Sequence, residues 1–165
     1  MSPQNEIIQI VDENNTEIAA VPRRIMREQN LIHRAAYILV FNKAGELFIQ
    51  RRTMSKDIYP GYWDVAAGGV VLANESYEDS ACRELEEELG IIDNNLEYCF
   101  DHYYENADNR VWGRVFRCIN EGPFVFQATE VEYGMFVPIQ TALGMSRKES
   151  FTPDGIEILQ RIESG

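Results

Sequence analysis

Apolar residues along this chain recur with two periods, and the alternation between them outlines the fold. Ile7, Ile8, Ile10 and Val11 precede a polar stretch at residues 12–15, and residues 16–20 follow it, which predicts an N-terminal β-hairpin over residues 6–20. Pro22, followed by Arg23 to Arg27, suits the start of a short helix. Residues 33–41 are apolar and aromatic and read as a buried strand. Residues 42–45 make a turn, and residues 46–52 alternate like a hairpin partner. A loop at 53–61, with Pro60 and Gly61, leads to Trp63, and residues 64–71 predict a strand around Gly68 and Gly69. Residues 75–89 are strong helix formers with Gly90 as the stop. Residues 96–104 and 111–118 predict two more strands, and 124–126 and 133–137 two short ones. Thr152, Pro153 and Asp154 open a final helix over 155–162. Strands flanked by two or three helices indicate one α/β or α+β domain over residues 1–165, and no internal repeat is present.

Composition narrows the function more than the fold. The 165 residues are 45 % hydrophobic and 25 % charged, enough for one substantial core. No apolar run approaches the roughly 20 residues of a membrane-spanning helix. The first residues lack the basic start and apolar stretch of a secretory signal, so a cytoplasmic location is expected. Cys82, Cys99 and Cys118 form no C-x-x-C pair and read as buried free thiols, Cys82 packing in the core. With only His33 and His102 a histidine zinc site has little support, and His33 reads as a structural histidine. A net charge of −12 repels nucleic acids and anionic membranes, so neither is an expected partner. A polyanionic substrate would need local cations or bound metal.

The predicted helix at 75–89 answers that need. At about 100° per residue, Glu84, Glu87 and Glu88 share one sector, while Ala81, Leu85 and Leu89 form a separate apolar stripe. Arg83 stands four residues before Glu87 and can pair with it. Like charges at these spacings repel, and a divalent cation bound by oxygen, Mg²⁺ or Mn²⁺, would offset the repulsion. A solvated acidic face is the alternative that clustering alone leaves open.

Spacing adds to this. Gly69, Glu75 and the run Arg83, Glu84, Leu85, Glu86, Glu87, Glu88, Leu89, Gly90, Ile91 resemble the Nudix box, G-x5-E-x7-R-E-U-x-E-E-x-G-U with U a bulky aliphatic. The match, over residues 69–91, holds at all nine specified positions. From average residue usage such a match arises by chance on the order of 10⁻⁹ per window, raised about a hundredfold by local glutamate richness. The resemblance implies a Nudix fold, a mixed curved sheet between helices. It also implies hydrolysis of a diphosphate linked to another group, with Mg²⁺ or Mn²⁺ bound. Glu87 and Glu88 become the principal metal ligands and Glu84 a further ligand or proton acceptor. Glu75 and Arg83 would brace the loop–helix–loop, the carbonyl near Gly68 would complete the coordination, and Gly69 would let the loop bend beside the substrate.

The upstream stretch, residues 50–63, is similar to the segment before the box in isopentenyl-diphosphate isomerases, which share the fold. By that likeness Arg51 and Lys56 are candidates for binding the substrate diphosphate, with Arg52 beside them. The isomerase chemistry does not carry across: Gly68 stands where those enzymes have a catalytic cysteine, and their histidines other than His33 have no counterpart. A hydrolase acting on a small-molecule organic diphosphate is therefore the primary expectation, with an isomerase-like enzyme and a non-catalytic nucleotide sensor as alternatives. Glu130 and Glu132 lie in the late loop where some Nudix enzymes place a catalytic glutamate. Trp63, Tyr103, Tyr104 and Trp112 are assigned to packing before base stacking. Dimers are common among similar proteins, so a homodimer stays open.

Overall fold

The computed structural model of the protein describes residues 3–92 and 95–165. Its first unit is the expected hairpin, β1 (Ile7–Val11) and β2 (Glu17–Pro22), joined by a turn in which Asp12 Oδ1 accepts the N–H groups of Asn14 and Thr16. β2 runs directly into the short helix α1 (Arg23–Glu28). The hairpin joins the main sheet where Ile10 pairs with His33.

The centre of that sheet is β3 (His33–Phe41), parallel to β8 (Arg110–Ile119) on one side and antiparallel to β6 (Ala67–Val70) on the other. β7 (Glu97–Glu105) adds antiparallel to β8. The sheet is mixed, as expected. A strand covered on both faces needs apolar residues at odd and even positions alike, and β3 has them. Ala36, Ile38 and Val40 pack toward helix α2 (Tyr77–Leu89), while Leu39 packs on the opposite face with α3 (Ile139–Met145) and α4 (Pro153–Ser164). The predicted stripe Ala81, Leu85 and Leu89 is fully buried against the first of these faces. Ala142, Ile158 and Leu159 cover the second.

Four sequence-based expectations need correction. β3 and β4 (Leu47–Arg52) do not form a regular hairpin: they pair where Phe41 meets Leu47, and β4 then runs along β9 (Val131–Val137) and β5 (Trp63–Asp64). Residues 124–126 are not a strand. The Val125 and Gln127 N–H groups donate to Leu89 O and Glu88 O, so this segment satisfies carbonyls left open at the end of α2. Helix α3 was not expected; it is seven residues long, contains Gly144, and its cap Pro138 makes no side-chain hydrogen bond. Cys82 is only half-buried, as is Cys99, and Cys118 alone matches the expected buried thiol.

The divergence of β3 from β4 matters for function. Residues 63–70 cross from one to the other, β5 pairing with β4 and β6 with β3. A cleft of about 640 Å³ is lined by both arms and by this crossing segment. Among the described residues no helix is long and apolar enough to cross a membrane.

Candidate active site

Helix α2, fixed at both ends, brings Glu84 and Glu87 to the cleft. Ser76 Oγ accepts the Asp79 N–H at 3.0 Å, a side-chain cap that starts the helix two residues later than the sequence suggested. At the other end Gly90 takes the left-handed conformation, φ 69°, and its N–H reaches Glu86 O at 3.0 Å. Arg83 ties the preceding loop to the helix. Its Nε and Nη2 grip the two oxygens of Glu75 at 2.7 and 3.0 Å, and Glu75 Oε1 also accepts the Leu72 N–H at 3.0 Å. Arg83 Nη1 then reaches Glu84 at 2.8 Å and Glu87 at 3.3 Å.

The three glutamates of the acidic sector have different surroundings. Glu88 is buried, its Oε1 accepting the Gly68 N–H at 3.0 Å and the Gln50 amide at 3.2 Å. The Glu84 side chain, 12 % exposed, lies against the backbone at Gly69; a Cβ there would stand 2.7 Å from Glu84 Oε1. Glu87 is half-exposed at the rim. Burial pushes the Glu84 carboxyl up to about 7, against the pull of Arg83. Burial and the neighbouring Glu84 push Glu88 up to about 8. Two carboxyls crowded beside each other, only one of them paired with Arg83, form a donor set of oxygens that fits a hard divalent cation. Among the described residues no three acidic, histidine or cysteine side chains already converge as a metal cage; Glu84 is engaged with Arg83, and Glu88 with Gly68 and Gln50.

The other sequence candidates fall at varying distances from this centre. Lys56 lines the cleft and pairs with Glu130, which lines it too. Arg52 also lines it, bound to Asp64 at 3.2 Å and to Ile58 O at 2.9 Å. Arg51 points elsewhere: it is exposed, donates to Gly61 O, and lies over the Trp63 ring. Glu132 is exposed on β9 and does not line the cleft. Trp63 packs in the core, while Tyr103, Tyr104 and Trp112 are half-buried and line no part of the cleft.

Several residues on the cleft escaped the sequence reading, Asp57, Asp154, Tyr37, Arg23 and Arg27, and so did Gln50, which donates to Glu88 without lining the cleft itself. Gln50 alone carried a local signal, since it follows Phe48 by two on the face of β4 that meets α2. His33 also lines the cleft and is a structural histidine, its Nδ1 donating to Leu31 O at 3.0 Å. Burial, aided by Arg27, holds the ring down to about 3, so it stays neutral. An unfolded chain binds a proton below its ordinary 6.5 that the folded chain refuses, so the contribution is intact above pH 6.5 and is lost as pH falls. Denaturant unfolding at pH 7 and pH 5 should show the parent losing about 2 kcal/mol more than His33→Asn. Equal losses would contradict this.

The comparisons with known proteins agree with the geometry. The NUDIX domain matches residues 31–160, so the hairpin and α1 precede the matched region. The chain is 45 % identical to the uncharacterized Nudix hydrolase PA4841 of Pseudomonas aeruginosa over 155 residues, covering 94 % of this chain and 92 % of the relative. It is 43 % identical to the uncharacterized Nudix hydrolase YfcD of Escherichia coli K12, over 93 % of this chain and 84 % of the relative. The crystal structure of DR0079 from Deinococcus radiodurans superposes with a TM-score of 0.80 at 23 % identity, over 94 % of this chain and 98 % of that one, and shares the fold. With the box intact on a capped helix, the domain matched over most of the sequence and relatives above 40 % identity, this chain belongs to the Nudix hydrolase family.

Proposed function

We propose that the chain hydrolyses a phosphoanhydride bond in a small organic diphosphate bound in the cleft between β3 and β4. The observation that carries this reading is the pair of adjacent carboxyls, Glu84 lining the cleft against Gly69 and the buried Glu88 accepting the Gly68 N–H. Glu84, Glu87 and Glu88, with the Gly68 carbonyl, would hold Mg²⁺ or Mn²⁺. Such an ion neutralises diphosphate charge and lowers the pKa of its water. Arg83 fixes Glu84 and Glu87 relative to the loop through Glu75, so the ligand oxygens stay in register with the strand. Lys56 and Arg52 supply positive charge on the cleft wall for the diphosphate oxygens. Arg51, exposed over Trp63, is left out of this assignment. Glu130 holds Lys56 and thereby sets where that ammonium lies.

Isomerase chemistry is disfavoured by a steric fact as well as by the missing residues. A side chain at position 68 would meet Ala36 O at 1.9 Å, so this backbone has no room for the cysteine that the isomerases carry there.

A substrate screen tests the proposal. The purified chain with Mg²⁺ or Mn²⁺ is offered nucleoside triphosphates, dinucleoside polyphosphates, sugar nucleotides, coenzymes and prenyl diphosphates, and products are followed by phosphorus NMR. Anhydride cleavage that EDTA abolishes is the expected result. Binding without turnover would favour a sensor, and double-bond migration in isopentenyl diphosphate an isomerase; either would overturn the proposal.

A further inference from the structure

Lys56, the cation proposed to meet the diphosphate, stands on the stretch between β4 and β5, which has no helix or strand of its own to fix it. A side chain on such a stretch is placed only as well as the loop is tied down. One set of ties runs to residues 127–130. The Thr53 N–H donates to Glu130 O at 3.3 Å, Thr53 Oγ1 donates to Thr129 O at 2.9 Å, and Lys56 itself pairs with Glu130. The next residue, Asp57, is tied to a different element. Arg27 Nε donates to its Oδ2 at 3.1 Å and Arg23 Nη1 reaches the same oxygen at 3.5 Å, with none of the three side chains more than 17 % exposed. Both arginines belong to α1, which precedes the matched domain. Helix α1 is in turn seated on the sheet, its Met26 buried in a cluster with Ile8, Ile10 and Val70, and Val70 follows Gly69 on β6.

An exposed ion pair holds a loop weakly, but here two guanidinium groups share one largely buried carboxylate. Burial would raise the Asp57 carboxyl, yet Arg27 and Arg23 hold it below its usual range, so the cluster is charged at neutral pH. A continuous path thus leads from β6 through Met26 and α1 to Asp57 and its neighbour Lys56. Its starting point is the strand whose Gly68 and Gly69 meet Glu88 and Glu84. That path refers the position of the ammonium to the proposed metal site, and a charge displaced by about an ångström loses much of its worth to a bound phosphate. We infer that Asp57 is a positioning residue: clamped by Arg23 and Arg27, it sets where Lys56 stands relative to Glu84 and Glu88. The N-terminal segment thereby completes the diphosphate-binding part of the cleft. The inference rests on the proposed role of Lys56, through which Asp57 acts.

Charge alone predicts the opposite sign, which makes the test sharp. Removing a carboxylate from the cleft should by electrostatics tighten the binding of an anion, whereas loosening the loop should weaken it. Calorimetry on the full chain with Mg²⁺ takes methylenediphosphonate as the probe, a diphosphate head group whose bridging methylene resists cleavage. Lys56→Met should weaken its binding by about tenfold. Asp57→Asn should weaken it by about three- to tenfold in the parent and have little effect in the Lys56→Met background, because the two residues act through one contact. Asp57→Glu keeps a carboxylate for Arg27, guards against a folding defect, and should recover most of the loss. Unchanged or tighter binding in Asp57→Asn, an equal loss in both backgrounds, or no recovery in Asp57→Glu would overturn the inference while leaving Lys56 its role. Lys56→Met binding as tightly as the parent would instead overturn that role, and a parent that fails to bind methylenediphosphonate with Mg²⁺ would overturn the hydrolase reading; either result takes the inference with it.

Discussion

Replacing Glu88 with glutamine is expected to lower kcat by about 10²–10³-fold or more with the fold intact. The separation of these two effects follows from how the side chain is held. Glu88 Oε1 accepts from the Gly68 N–H and the Gln50 amide, and a glutamine oxygen can take both bonds. What the variant loses is the carboxylate that a bound cation would draw from this raised carboxyl by displacing its proton. Putting a neutral amide where burial and Glu84 already disfavour the charged form is at worst neutral for stability. The thermal midpoint in EDTA should therefore not fall. Added Mg²⁺ should raise that midpoint for the parent, by mass action on the folded state, and raise it much less for Glu88→Gln. Glu87, half-exposed at the rim, should give a smaller stability signature but a comparable loss of turnover as Glu87→Gln. Turnover preserved in Glu88→Gln would remove this carboxylate from the chemistry.

The sequence disclosed the two levels of this site unequally. The acidic sector and its apolar back were legible because both are local: residues three and four apart on a helix are neighbours whatever the rest of the chain does. So Arg83 does meet Glu87, and Ala81, Leu85 and Leu89 are buried together. The choice between Arg51 and Arg52 was not legible, since consecutive strand residues face opposite ways and parity is fixed only by pairing with β5 and β9. Other parts of the cleft were hidden more thoroughly. Arg23, Tyr37, Asp57 and Asp154 are brought together across 131 positions by the path of the sheet, and none sits in a local pattern that marks it. Asp154 in particular resembled an ordinary first-turn residue of a helix. Residues 124–126 misled in the opposite direction. Their β-forming side chains are real, but Phe124 serves to pack on Phe48 and Phe136 while the backbone closes off α2.

The largest effect on the fold is expected at Gly68, where the proposed metal site and the architecture share one residue. Its φ of 140° lies where side chains are strained, and a Cβ there would stand 1.9 Å from Ala36 O and 2.9 Å from the Ala36 carbonyl carbon. Those atoms are backbone of the central strand, so no rotamer change can relieve the clash. β6 must move away from β3, breaking the ladder from Ala35–Val70 to Ile38–Ala67. Gly68→Ala should thus cost on the order of 4 kcal/mol or more, enough to leave much of a marginally stable chain unfolded. Because the Gly68 N–H also holds Glu88, any folded fraction should have lost turnover too. Gly69→Ala makes an informative contrast. Its Cβ would meet the Glu84 carboxylate, which is the end of a side chain and can swing aside. That variant should keep most of its stability and lose activity by displacing Glu84. Denaturant midpoints measured beside kcat distinguish the two, and a stable Gly68→Ala would mean that the approach of β6 to β3 is looser than this geometry requires.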